Sequence, residues 1–110
     1  HWKRVAISAC EQCGRNRVPD IGAPLALERY KAPESYSKIL LSPAGTQTLA
    51  AMAKGPIALA VGPEAGFSAE EEMLLQRVGF VLVRLGPRIL RTETAALAAL
   101  AALNALAGDF

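Results

Sequence analysis

Phe80-Val81-Leu82-Val83-Arg84-Leu85-Gly86-Pro87-Arg88-Ile89-Leu90-Arg91-Thr92-Glu93-Thr94-Ala95 is the stretch on which the reading of this chain turns. The β-branched and apolar residues at its start predict a strand over 80–84. Gly86-Pro87 then forces a turn, and Thr92 or Thr94, followed by alanines, opens a helix. Strand, tight loop, helix is the unit of an α/β sheet. In open parallel sheets, ligands sit beyond the carboxyl ends of strands, where such loops meet. Arg84, Arg88 and Arg91 crowd this loop. They read either as functional charge or as the solvated face of a surface turn.

The same unit recurs upstream. Ile57-Ala58-Leu59-Ala60-Val61 is a continuous apolar run of the kind buried on both faces of a parallel sheet. It enters Gly62-Pro63-Glu64-Ala65-Gly66-Phe67, after which Ser68 and Glu71 form a capping box worth about 1 kcal/mol. The helix that follows carries Met73, Leu74, Arg77 and Val78 and ends at Gly79. Lys38-Ile39-Leu40-Leu41 is another short buried strand. Ser42-Pro43 after it offers a cap and a first helical position, predicting a helix with Leu49 and Met52 inward that stops before Gly55-Pro56.

Downstream, the closing helix runs from about Thr92 to Ala107, with Leu97, Leu100, Leu103 and Leu106 among alanines and Gly108 as its stop. A face so rich in alanine lets another helix approach closely, either within the core or across a symmetric dimer. At the other end, Trp2, Val5, Ala6, Ala9, Cys10 and Cys13 recur at helical spacing, and Gly14 ends that helix. Arg15-Asn16-Arg17-Val18-Pro19 leaves it as an extended basic segment. Residues 20–37 show no period beyond a short helical turn expected at Leu25 to Tyr30. So long a connection is a functional loop or a wrap against something outside this chain.

A chain of 110 residues holds one domain. Its 52% hydrophobic and 20% charged residues say globular, and few aromatics among much Ala, Leu and Val suit a parallel sheet with helices on both faces. Three strands are few for a free-standing sheet. Together with the opening at His1, already inside a helical pattern, this predicts that the first part of the sheet lies upstream. Net charge is only +2, with basic residues early and late and Glu64, Glu70, Glu71 and Glu72 between them. Cys10 and Cys13 form a lone Cys-x-x-Cys with no second pair and no histidine but His1, so no metal site is expected. Two buried or half-buried helix thiols are the reading. No apolar run suffices to cross a bilayer, and no charged, apolar and small-residue leader is seen, so the expected location is cytoplasmic.

The loops speak to the ligand. Gly62 and Gly66 match neither Gly-x-Gly-x-x-Gly nor the Walker pattern, and no lysine follows the second glycine. Leu41-Ser42-Pro43, residues 62–66 and residues 85–91 are instead rich in Gly and Pro, with leucine and isoleucine between. Such loops hold a flat heterocycle by main-chain hydrogen bonds between apolar walls. An adenine-bearing cofactor with no long phosphate tail fits that description.

Gly62-Pro63-Glu64-Ala65-Gly66-Phe67-Ser68 together with Leu85-Gly86-Pro87-Arg88-Ile89-Leu90-Arg91-Thr92-Glu93-Thr94-Ala95 resembles the ribosomal RNA small subunit methyltransferase E family. Glu11-Gln12-Cys13-Gly14-Arg15-Asn16-Arg17-Val18-Pro19 resembles the same family, so the likeness covers nearly the whole chain. The resemblance implies a SPOUT-type, trefoil-knotted methyltransferase domain, with residues 1–110 as its C-terminal part and a PUA-like RNA-binding domain upstream. It implies S-adenosyl-L-methionine as cofactor, contacted by Leu41, Gly62, Pro63, Gly66, Leu85, Gly86, Ile89 and Leu90. It further implies methylation of uridine N3 in the 16S rRNA of the small ribosomal subunit by a homodimer whose pockets are completed across the interface. The family usually has glycine where this chain has Ala65. A positive φ there would cost alanine on the order of 1 kcal/mol.

Methylating uracil N3 requires loss of an imide proton and in-line attack of the nitrogen on the methyl group, for which orientation supplies much of the rate. Arg91 cannot be the base, since a guanidinium stays protonated; its expected role is to stabilise charge on the uracil oxygens or to hold a phosphate. Glu64 is the one carboxylate of the central loop and is the candidate proton acceptor, or else a dipole partner of the next helix. Arg15, Arg17 and Arg88 are candidates for RNA contact, with surface solvation as the alternative. Glu93 and Thr94 are expected to cap the last helix. The competing functional reading is a noncatalytic RNA-binding or ribosome-assembly module that keeps the fold.

Overall fold

The computed structural model describes residues 1–15, 17–87 and 90–108. In chain order the elements are α1 (Trp2–Cys13), a 3₁₀ turn (Leu27–Arg29), β1 (Ser37–Leu41), β2 (Gln47–Thr48), α2 (Leu49–Met52), β3 (Ile57–Ala60), α3 (Ala69–Arg77), β4 (Val81–Arg84) and α4 (Thr92–Ala107). The four strands form one sheet in the order β2-β4-β1-β3, and every pair is parallel. Ile39 stands opposite Leu59 on one side and Val81 on the other.

The side-chain alternation of β1 divides the core between the two faces. Ile39, with Val83 of β4, meets Leu49 of α2 and Ala99 and Leu103 of α4. Leu40, the next residue, turns the opposite way onto Leu75 of α3 and Phe80. Ile39, Leu40 and Val83 are fully buried, as short continuous apolar strands require when helices cover both faces. The expected α/β architecture is therefore present.

One element departs from expectation. Residues 42–55 are not a helix opened by Ser42-Pro43. Pro43 and Ala44 form a turn, β2 pairs with the end of β4, and only the single-turn α2 follows, with the Thr48 hydroxyl accepting from Ala51 N at 3.4 Å. The cause is not local. The Ser42 N–H donates to Val83 O at 3.0 Å, and Gly45 lies against β4 so closely that a Cβ would sit 2.6 Å from Arg84 N. Pairing with the sheet edge overrides helix propensity here.

Two smaller corrections concern helix ends and faces. α4 begins at Thr92, but Arg91 is its N-cap residue and no side chain caps it; Glu93 lies in its first turn. Of the four leucines at three-residue spacing, Leu103 is buried whereas Leu97, Leu100 and Leu106 are exposed. α1 keeps its expected bounds and ends at Gly14, with φ of 77°. Cys10 is its one buried residue, and Cys13 is exposed rather than half-buried; both thiols are free.

Candidate functional site

β4, β1 and β3 are neighbours in the sheet and parallel, so their carboxyl ends point the same way. The loops that leave them converge on one cavity of about 310 Å³. Its volume is at the small end of the range for small-molecule sites, about 300–1,000 Å³.

The loop after β1 is fixed from its first residue. Ser42 is 7% exposed, and its hydroxyl accepts the Ala44 N–H at 3.2 Å and donates to Oε2 of Glu72 at 3.4 Å. The Gly45 N–H closes the turn on Ser42 O at 3.0 Å. Leu41, Ser42 and Pro43 thus form one wall.

The loop after β3 is closed by the Gly66 N–H on Pro63 O at 2.7 Å. The Thr92 hydroxyl donates to the same carbonyl at 3.0 Å, tying the start of α4 to this loop. Gly66 takes φ of 78°, a conformation open to glycine, while no other residue type among those described has positive φ. Ala65 therefore carries none of the cost that a left-handed backbone would impose. Ser68 and Glu71 then start α3 by reciprocal bonds of 2.9 and 3.1 Å, the expected capping box.

The loop after β4 contributes Arg84, Leu85 and Gly86, and Leu90, Thr92 and Ala95 also line the cavity. Leucines 41, 85 and 90 with Phe67 and Val61 give apolar walls, and Glu64, Glu72 and Arg84 give charge. Apolar walls with a few polar groups suit a ligand made of a flat ring system and a charged tail.

Leu41, Gly62, Pro63, Gly66, Leu85, Gly86 and Leu90 all line this cavity, as does Glu64. Ile89 and Arg88 lie outside the described residues. Arg91 is exposed and is not among the lining residues, although Leu90 and Thr92 on either side of it are. Arg15 and Arg17 are exposed on the exit from α1 and do not line the cavity; the Cys10 thiol donates to Arg17 O at 3.8 Å. Sequence reasoning missed Glu72, Thr92 and Ala95, named Ser42 only as part of the loop after β1, and left Arg84 undecided between function and solvation. Nothing in the acidic run Glu70-Glu71-Glu72 singles out the last member; its meeting with Ser42 does. Among the described residues, no three His, Cys, Asp or Glu side chains gather as a metal site would need, and no helix is long and apolar enough to cross a membrane.

The fold of the chain is shared with known proteins. Two solved structures superpose closely: a Legionella pneumophila protein in complex with the bound cofactor SAM, at TM-score 0.91 and 45% identity, and a ribosomal RNA small subunit methyltransferase E from Neisseria gonorrhoeae bound to S-adenosyl methionine, at 0.92 and 42%. Each superposition covers 99% of this chain, and 46% and 48% of the respective structures. Ribosomal RNA small subunit methyltransferase E from Buchnera aphidicola of Schizaphis graminum is 41% identical over 113 residues, 99% of this chain and 46% of that protein. The chain spans about half the length of the curated relatives it matches. The family model described as RNA methyltransferase domain matches residues 1–104, so this chain belongs to the RNA methyltransferase domain family.

Proposed function

We propose that the chain binds S-adenosyl-L-methionine in the cavity at the carboxyl ends of β1, β3 and β4, and that it serves an S-adenosylmethionine-dependent 16S rRNA (uracil-N3)-methyltransferase. The observation that carries the reading is the convergence of three strand-end loops on one cavity with apolar walls and a charged minority, in a chain whose solved neighbours hold that cofactor. The donor set suits the group: Leu41, Leu85 and Leu90 for the faces of an adenine, main-chain atoms of residues 62–66 and 85–86 for its edge, and Arg84 for the carboxylate of its tail. The carbonyl of Pro63 already accepts two hydrogen bonds, so the ligand's donors are left to its neighbours.

The cofactor, when bound, supplies an electrophilic methyl group. The chain's own part is to orient and to manage one proton. In this reading Glu64 accepts the N3 proton of an incoming uracil; its exposure at the tip of the second loop, on the lining of the cavity, supports the role. Arg91, the N-cap residue of α4 between the lining residues Leu90 and Thr92, in this reading offsets negative charge on the uracil oxygens or on a phosphate. Arg15 and Arg17, with Arg88, are the RNA-facing cations of this reading. Residues 1–110 are then the C-terminal part of a SPOUT-type knotted domain, working in the cytoplasm on the small ribosomal subunit. The exposed Leu97 and Leu100, about 60° apart around α4, favour a homodimer packed through that helix.

Calorimetric titration of the folded chain with S-adenosylhomocysteine tests the reading. Saturable binding with a dissociation constant of about 1–100 μM is expected, the range of ordinary small-molecule sites. Absence of heat at high micromolar ligand, on protein with an intact melting transition, selects the noncatalytic RNA-binding or assembly module instead.

A further inference from the structure

We infer that Glu72 sets the cavity's preference for a positively charged sulfonium ligand over the neutral thioether that methyl transfer leaves behind. The inference deepens the methyl-donor reading and rests on it. Glu72 lies within the first turns of α3, its N–H donating to Ser68 O at 2.9 Å, so its backbone is fixed by the capped helix. The residue is half-buried and lines the cavity from the side of the sheet opposite α4. One oxygen accepts from the Ser42 hydroxyl at 3.4 Å, and Ser42 is itself buried and anchored by its N–H on Val83 O. A carboxylate has about four acceptor positions, so one hydrogen bond leaves the others for a ligand.

Charge decides what that ligand group is. Among the described lining residues, Glu64 and Glu72 stand against Arg84, two carboxylates to one guanidinium, so these three sum to one unit negative. Glu64 is exposed at a loop tip, where water and salt screen it; Glu72 is half-buried, where screening is weaker and attraction stronger. A sulfonium carries a full positive charge that vanishes when its methyl group leaves. A carboxylate held by a buried hydroxyl therefore retains the reactant and relaxes its hold on the product. Ser42 is the positioning residue of the pair.

Dissociation constants of S-adenosylmethionine and S-adenosylhomocysteine, measured calorimetrically on the chain and on Glu72→Gln, Glu72→Asp and Ser42→Ala, test this. Glu72→Gln is expected to weaken S-adenosylmethionine about tenfold and S-adenosylhomocysteine no more than about threefold, as loss of one partly screened charge contact implies. Glu72→Asp keeps the charge and most of the discrimination, and Ser42→Ala lowers the ratio by about two- to threefold. Equal weakening of both ligands by Glu72→Gln, or no change in either, overturns the assignment. Should that variant not fold, an unchanged ratio in Ser42→Ala overturns it. A folded parent chain that binds neither ligand removes the methyl-donor reading and this inference together. A parent that binds both, with a ratio indifferent to residue 72, removes only the role of Glu72.

Discussion

α1 and α3 are both short helices with a glycine at or just past the C-terminal end, yet one is built into the molecule and the other barely touches it. α3 starts with both halves of a capping box and buries Leu75, 2% exposed, against Leu40 and Phe80. α1 starts at Trp2, with His1 as an N-cap that makes no side-chain bond and no acidic residue in its first turn; Trp2 is 68% exposed and Val5 46%. The difference teaches that amphipathic spacing decides which face a helix offers, while burial depends on what the rest of the chain brings to that face. In α3 the strands bring Leu40 and the residues beside it. At α1 the exit of the same helix comes back, with the thiol of the buried Cys10 on Arg17 O at 3.8 Å.

Stability measurements on the chain sharpen or break that contrast. Leu75→Ala removes the anchor of α3 and is expected to cost about 2–5 kcal/mol in urea unfolding, the usual result of opening a cavity in a packed core. Ser68→Ala deletes one half of the capping box and is expected to cost about 1 kcal/mol. Trp2→Ala is expected to change stability by no more than about 0.5 kcal/mol despite deleting the largest side chain in α1, because little is packed against it. A loss on Trp2→Ala as large as that on Leu75→Ala would end the distinction between the two helices.

Much of the fold was legible because its signals are local. Capping residues at Ser68 and Glu71, the stop at Gly14 and the apolar runs of β1, β3 and β4 each act within a few residues, and each reappears in the structure. The misread segment, residues 42–55, is governed by contacts with Val83 and Arg84, some forty positions away in sequence. The leucines of α4 show a second kind of limit. Three-residue steps fall about 60° short of a full turn each time, so four such residues cannot share one face, and Leu103 alone reaches the core. Within the site, the glycine and proline loops announced themselves by composition. Glu72 did not, since three consecutive glutamates at a helix start all suit the positive end of the dipole equally.

Gly45 does not line the cavity, but the main-chain atoms it rests on are those of Val83 and Arg84, at the root of the loop that does. Where backbone leans directly on backbone, there is no flexible tip to bend aside. A larger residue at position 45 would displace the end of β4, and the distortion would pass to the loop that walls the ligand chamber. The dimensions of that chamber are thus guarded by a hydrogen atom outside its walls.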